Sequence, residues 1–99
     1  LGKLVRDKIV KNIKDSGKEP IYHVLTDDEY KEEVYKKLQE EVNELCRERN
    51  SEEMADVIEV LAAIYHSDPK SYNEVEIKAV RKRKEKGSFY GKIFLDEVR

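Results

Sequence analysis

Cysteine occurs once in this chain of 99 residues, as Cys46. A single thiol excludes an internal disulfide and a multi-cysteine zinc site. Histidine is nearly as scarce, with His23 and His66 alone, and neither stands at ligand spacing from the other or from Cys46. Catalysis by a Cys–His pair therefore has little to build on, and a thiol at the edge of an apolar stripe serves as a small hydrophobe. No apolar run approaches the length of a spanning helix or a signal-peptide core. The expectation is a cytoplasmic chain with no membrane partner. Charge of one sign is lacking too: the formal net charge is −2, which argues neither for nor against nucleic acid, while the acidic centre of the chain opposes it. With no repeat, low-complexity tract or linker, residues 1–99 predict a single domain. Apolar residues make up 38% and charged residues 42%, a thin core for this length. Pairing with a second copy of the chain, as a homodimer or homotetramer, would bury what one copy cannot.

What is present reads as helices with one small sheet element. Val5, Ile9 and Ile13 recur at helical spacing over about Leu4 to Asp15, and Ser16-Gly17 stops that helix. The short, partly β-branched alternation from Ile21 to Leu25 predicts a strand. Thr26 with Glu29 forms a capping box opening a long second helix, whose stripe from Asp28 to Arg47 is Tyr30, Val34, Leu38, Val42 and Leu45. Ser51 is expected to cap a third helix ending near His66, before Ser67-Asp68-Pro69. Ser71 with Glu74 reads as another capping box, opening a fourth helix that ends before Gly87. The alternation from Ser88 to Leu95 predicts a second strand. Paired with Ile21 to Leu25, it would make a two-stranded antiparallel ribbon on a mainly α, four-to-five-helix bundle-like domain.

Two acids fall where these helices should be apolar. Glu41 projects into the stripe of the second helix, with Glu44 on its flank. In the third helix Glu53 joins the row of Val57, Val60 and Ile64, with Asp56 beside it. Burying one bare carboxylate costs several kcal/mol, and four together repel. A cation resolves the conflict. Residues three apart on a helix share a face, so Glu41/Glu44 and Glu53/Asp56 form two pincers able to close on one ion. An all-carboxylate set favours a hard ion, Mg²⁺ or Mn²⁺, over Zn²⁺. Glu40 points further from the stripe, as do Glu48, Glu52 and Glu59. The plain alternative is that acids in so charged a chain are solvated helix faces.

The run Glu40-Glu41-Val42-Asn43-Glu44 followed by Glu53-Met54-Ala55-Asp56 is similar to the ExxE and ExxD signature of the MazG-like, all-α nucleoside triphosphate pyrophosphohydrolases. The opening Lys3-Leu4-Val5-Arg6-Asp7-Lys8-Ile9 and the closing Lys86-Gly87-Ser88-Phe89 resemble a subgroup named for its likeness to phosphoribosyl-ATP pyrophosphohydrolase. Val10 and Ser88 depart from that pattern, away from the acids. The resemblance implies hydrolysis of a nucleotide between its α- and β-phosphates to a monophosphate and pyrophosphate, with house-cleaning of nucleotides as the expected role. By position, Glu41, Glu44, Glu53 and Asp56 would hold Mg²⁺, and Glu40 would be a further ligand or the group that orients the attacking water. The family's dimers and tetramers fit the thin core.

Late in the chain Lys78, Arg81, Lys82, Arg83, Lys84 and Lys86 cluster. Lys82 and Lys86, one helical turn apart, could reach substrate phosphates, with Arg83 as a forked partner. The helix dipole alone also favours cations in the last turns. Arg6 and Lys8 are open to the same two readings, and Lys3, Arg6 and Asp7 could instead tie the first helix to the rest. Among the tyrosines, most should be core or rim, and one could stack on a base. Two other readings stand beside the triphosphate hydrolase: a phosphoribosyl-ATP pyrophosphohydrolase, and a non-catalytic helical interaction module whose acids are solvated or paired between subunits.

Overall fold

A computed structural model describes residues 2–99, apart from the side chain of Pro69. The described residues are mainly helical: α1 spans Ile9–Asp15, α2 Asp27–Glu48, α3 Ser51–Tyr65 and α4 Pro69–Lys86. The chain divides into two compact units, one running up to Ile64 and the other from Tyr65 onward.

In the first unit α1 begins at Ile9 and not at Leu4. Lys8 supplies no side-chain cap, and the Ile9 N–H turns back to the Arg6 carbonyl at 3.1 Å. Without an N-cap side chain the periodicity of Val5 is not enough to start the helix earlier. Its end is as the Ser16-Gly17 pair predicts. Gly17 takes φ 85°, and the N–H groups of Gly17 and Lys18 bond the carbonyls of Lys14 and Ile13, a Schellman closure that needs the left-handed residue.

The long helix α2 opens on the predicted capping box. The Glu29 N–H donates to Thr26 Oγ1 at 3.2 Å, and the Thr26 N–H donates to Glu29 Oε1 at 3.0 Å. The bond from the Thr26 N–H, and after it a hydrogen bond from the Thr26 side chain, hold the Glu29 carboxyl below its ordinary pKa. Asp27, Asp28 and Glu29 place negative charge in the first turn, where the helix dipole favours it. At the other end Arg49 adopts a left-handed conformation, φ 53° and ψ 48°, and its Nε donates to the Cys46 carbonyl at 2.9 Å. Cys46 itself is exposed. Of the predicted stripe, Val34 is buried, while Tyr30, Leu38, Val42 and Leu45 are half-buried.

Asn50, not Ser51, caps α3, its Oδ1 accepting the Glu53 N–H at 2.9 Å. Ser51 is already the first helical residue. Val57 is buried, with Val60 and Ile64 half-buried in the same row. On the adjoining face of α3 Met54, Ile58 and Leu61 are exposed. Val34 and Val57 are the buried apolar side chains among the described residues, so the core is as thin as the composition predicts.

In the second unit the Tyr65 hydroxyl donates to Glu76 Oε1 at 2.5 Å, and the Tyr65 and Tyr72 rings lie 4.3 Å apart. His66 meets both rings, 5.2 Å from that of Tyr65 and stacked at 5.1 Å on that of Tyr72. The cap of α4 is Asp68, three residues before the expected Ser71. The Asp68 side chain accepts the Lys70 N–H at 3.0 Å, and Pro69 opens the helix, where a missing N–H costs nothing. The Asp-Pro pair outcompetes the Ser71/Glu74 box.

The two-stranded ribbon is not formed. Among the described residues neither Ile21–Leu25 nor Ser88–Leu95 is a strand, and Ile21, Val24, Phe89 and Ile93 are all about nine-tenths exposed. Alternation says which side chains would share a face, but a strand exists only when another strand completes its hydrogen bonds.

The capping difference is measurable. Thr26→Ala should lower stability by about 1 kcal/mol in urea unfolding, whereas Ser71→Ala should stay within about 0.5 kcal/mol of the parent.

Candidate metal centre

Glu41 is the buried charged residue among the described residues, 8% exposed. Helix α2 puts it there, because its position falls in the row that also carries Val34, Leu38 and Leu45. The connection of Arg49 and Asn50 leads into α3, whose inward row begins with Glu53. One carboxylate oxygen from each of Glu41, Glu53 and Asp56 can be chosen so that all three lie within 4.8 Å of one another. The two helices thus bring together three of the five acids that the sequence singles out.

The other two stand apart from this triad. Glu44 is half-buried and approaches Arg47 at 4.0 Å, while remaining close enough to Glu53 to perturb it. Glu40 is exposed and receives Lys37 Nζ at 3.3 Å. Glu48, Glu52 and Glu59 are exposed.

Two cations help to hold the acids, and periodicity alone overlooks both roles. Lys37 lies one turn before Glu41, and its ammonium meets Glu41 Oε1 at 3.2 Å with its own side chain largely covered. Burial favours the neutral amine, but hydrogen bonds to Glu41 and Glu40 outweigh it and raise the Lys37 pKa. The i,i+4 spacing of opposite charges was a legible signal for this pair. Arg6 comes from the segment before α1, with Nη2 on Asp56 Oδ1 at 2.7 Å. Fifty positions of sequence separate these partners, and no local pattern announces such a contact.

Even so the centre is not satisfied. Glu41 Oε2 and Glu53 Oε2 are buried atoms without a hydrogen-bond partner. Leaving an acceptor of this kind unmade costs about 1–3 kcal/mol, and more for a charge. The Glu53 carboxyl is accordingly pushed above its ordinary pKa, first by burial, then by Glu44, with which it can share a hydrogen bond only while one of the two keeps a proton, and by repulsion from Asp56 and Glu41. An all-oxygen donor set with two orphaned oxygens fits a hard divalent cation, which would relieve the repulsion without a proton.

The remaining predicted residues belong to the second unit. Lys82, Arg83 and Lys86 line an open cleft of about 520 Å³ at the end of α4, together with Ser88, Phe89 and Tyr90. None of the three cations forms an ion pair among the described residues. His23 and His66 enter neither group. No helix among the described residues is long and apolar enough to cross a membrane. Comparison of the chain with protein-family profiles, with characterised proteins and with solved structures gives no match.

The Glu53 shift has a definite sign. Its folded-state pKa lies above the ordinary 4.5, so its contribution to stability is fully present below that value and is lost as pH rises through the raised pKa. In chelator, Glu53→Gln should therefore melt higher than the parent near pH 7, and the difference should shrink near pH 4. Thermal unfolding at the two pH values checks it; a lower melting temperature for the variant near neutrality contradicts the electrostatic account.

Proposed function

We propose that the chain is a Mg²⁺-dependent nucleoside triphosphate pyrophosphohydrolase, splitting its substrate between the α- and β-phosphates to give a monophosphate and pyrophosphate. The observation that carries this reading is the buried Glu41 meeting Glu53 and Asp56 with two carboxylate oxygens left unpartnered. The resemblance to the MazG-like pyrophosphohydrolases rests on these same acids.

Glu41, Glu53 and Asp56 would hold the ion, Mg²⁺ or Mn²⁺, with Glu44 positioned to join from beside Glu53. A bound divalent ion supplies charge for phosphate oxygens and lowers the pKa of water. Glu40, exposed and one residue from Glu41, is suited to take the proton from the attacking water, while Lys37 fixes its carboxylate. Water adds to one phosphorus, its proton passes to the carboxylate, and the anhydride oxygen leaves with the departing phosphate group. In the second unit Lys82, Arg83 and Lys86 line a cleft with Phe89 and Tyr90, and cations of this kind are suited to phosphate.

Canonical or damaged triphosphates are the first choice of substrate, and phosphoribosyl-ATP the second. A second copy of the chain is the proposed partner, because Met54, Ile58 and Leu61 form an exposed apolar stripe on α3. That stripe also favours the other reading, a helical interaction module without turnover.

Incubation with a panel of triphosphates, phosphoribosyl-ATP and Mg²⁺ separates these readings. The expected products are monophosphate and pyrophosphate, lost in chelator and reduced at least about 100-fold in Glu41→Gln. Orthophosphate with a diphosphate, or no turnover of any member, would leave the interaction module in front.

A further inference from the structure

Arg6 sits at the acid centre for a reason that fold stability does not supply. Its side chain is 56% exposed and that of Asp56 41% exposed, and a pair so open to water adds little to folding. The bond uses one guanidinium N–H on Asp56 Oδ1. Arginine carries five such donors in a rigid fork, and the other donors of Arg6 have no partner among the described residues. The backbone holds the residue in place as well, since the Arg6 carbonyl accepts the Ile9 N–H that opens α1.

Charge points the same way. With Glu40 and Glu44 beside them, Glu41, Glu53 and Asp56 make five negative charges, of which Lys37 and one divalent ion cancel three. A polyphosphate approaching that centre would be repelled unless a further cation stands at its open side. Lys37 is committed to Glu40 and Glu41. Arg6 is the cation beside the triad that keeps free donors, and its planar fork can bond a carboxylate with one edge while offering another to phosphate.

We propose that Arg6 is a phosphate-binding residue of the acid centre, anchored by Asp56 and presenting its remaining N–H groups to the polyphosphate of the substrate. The proposal rests on the metal-centre reading above and assigns it a specific recognition residue. It distinguishes Arg6 from a mere tie between the N-terminal segment and α3. A tie would be indifferent to phosphate.

The test uses calorimetric titration of the full chain, first with Mn²⁺ and then with inorganic pyrophosphate on the Mn²⁺-loaded protein. Arg6→Gln should leave Mn²⁺ affinity within about three-fold of the parent and weaken pyrophosphate binding by about ten-fold or more, the loss of one charge-assisted hydrogen bond. Arg6→Lys should fall between the two, because it keeps the charge and loses the fork. Lys11→Gln, which removes a similar exposed cation paired with Asp15 on α1, should change neither affinity. Equal loss of Mn²⁺ and pyrophosphate binding in Arg6→Gln, or no change in either, overturns the proposal and leaves the metal centre standing. A parent chain that binds no Mn²⁺ overturns the metal centre itself, and the role of Arg6 with it.

Discussion

The burial of one carboxylate, Glu41, is the constraint from which the rest of the first unit follows. Its helix puts it among Val34, Leu38 and Leu45, where an uncompensated charge would oppose folding. Lys37 answers one oxygen from the same helix, one turn away. The other oxygen has no hydrogen-bond partner, and the carboxylates of Glu53 and Asp56 on α3 lie close by and make the electrostatic problem worse. With Val34 and Val57 as the buried apolar side chains among the described residues, there is little hydrophobic stabilisation with which to offset such a cluster. Its retention at the centre of the fold is economical if the acids have an ion to hold.

The same argument explains why the cations are arranged unequally. Lys37 is covered and spans two carboxylates, so it neutralises Glu41 as part of the folded framework. Arg6 remains half-exposed and touches one oxygen of Asp56, so it neutralises the open side of the site while leaving room for another anion. The first acts on stability, the second on recognition. Raised proton affinity at Glu53 is the residual stress that neither relieves.

The second unit works by a different balance. Tyr65, His66 and Tyr72 form a ring cluster held by the bond to Glu76, and the free cations lie at the far end of α4 beside Gly87, which takes φ 82° and ends the helix. A helix C-terminus stabilises those cations through its dipole. The same end is therefore able to hold three positive charges without ion-pair partners, which is what a phosphate-binding cleft requires.

Periodicity and capping chemistry were legible along the chain because both depend on neighbours within one helical turn. They located α2 through Thr26 and Glu29, stopped α1 at Gly17, and singled out Glu41 and Glu53 as acids in apolar rows. Competition between adjacent caps was harder to read: Asn50 prevails over Ser51 and Asp68 over Ser71, each by offering a better-placed oxygen to an early N–H. The strands were misread because alternation describes one segment, whereas a strand is a relation between two. The grouping of Glu41 with Glu53 and Asp56, the exclusion of Glu40 and Glu44 from that triad, and the reach of Arg6 to Asp56 were decided only by tertiary structure. Side-chain types and their spacing set which charges lie on one helix face; which faces meet, and which oxygens remain unpaired, depends on the path of the whole chain.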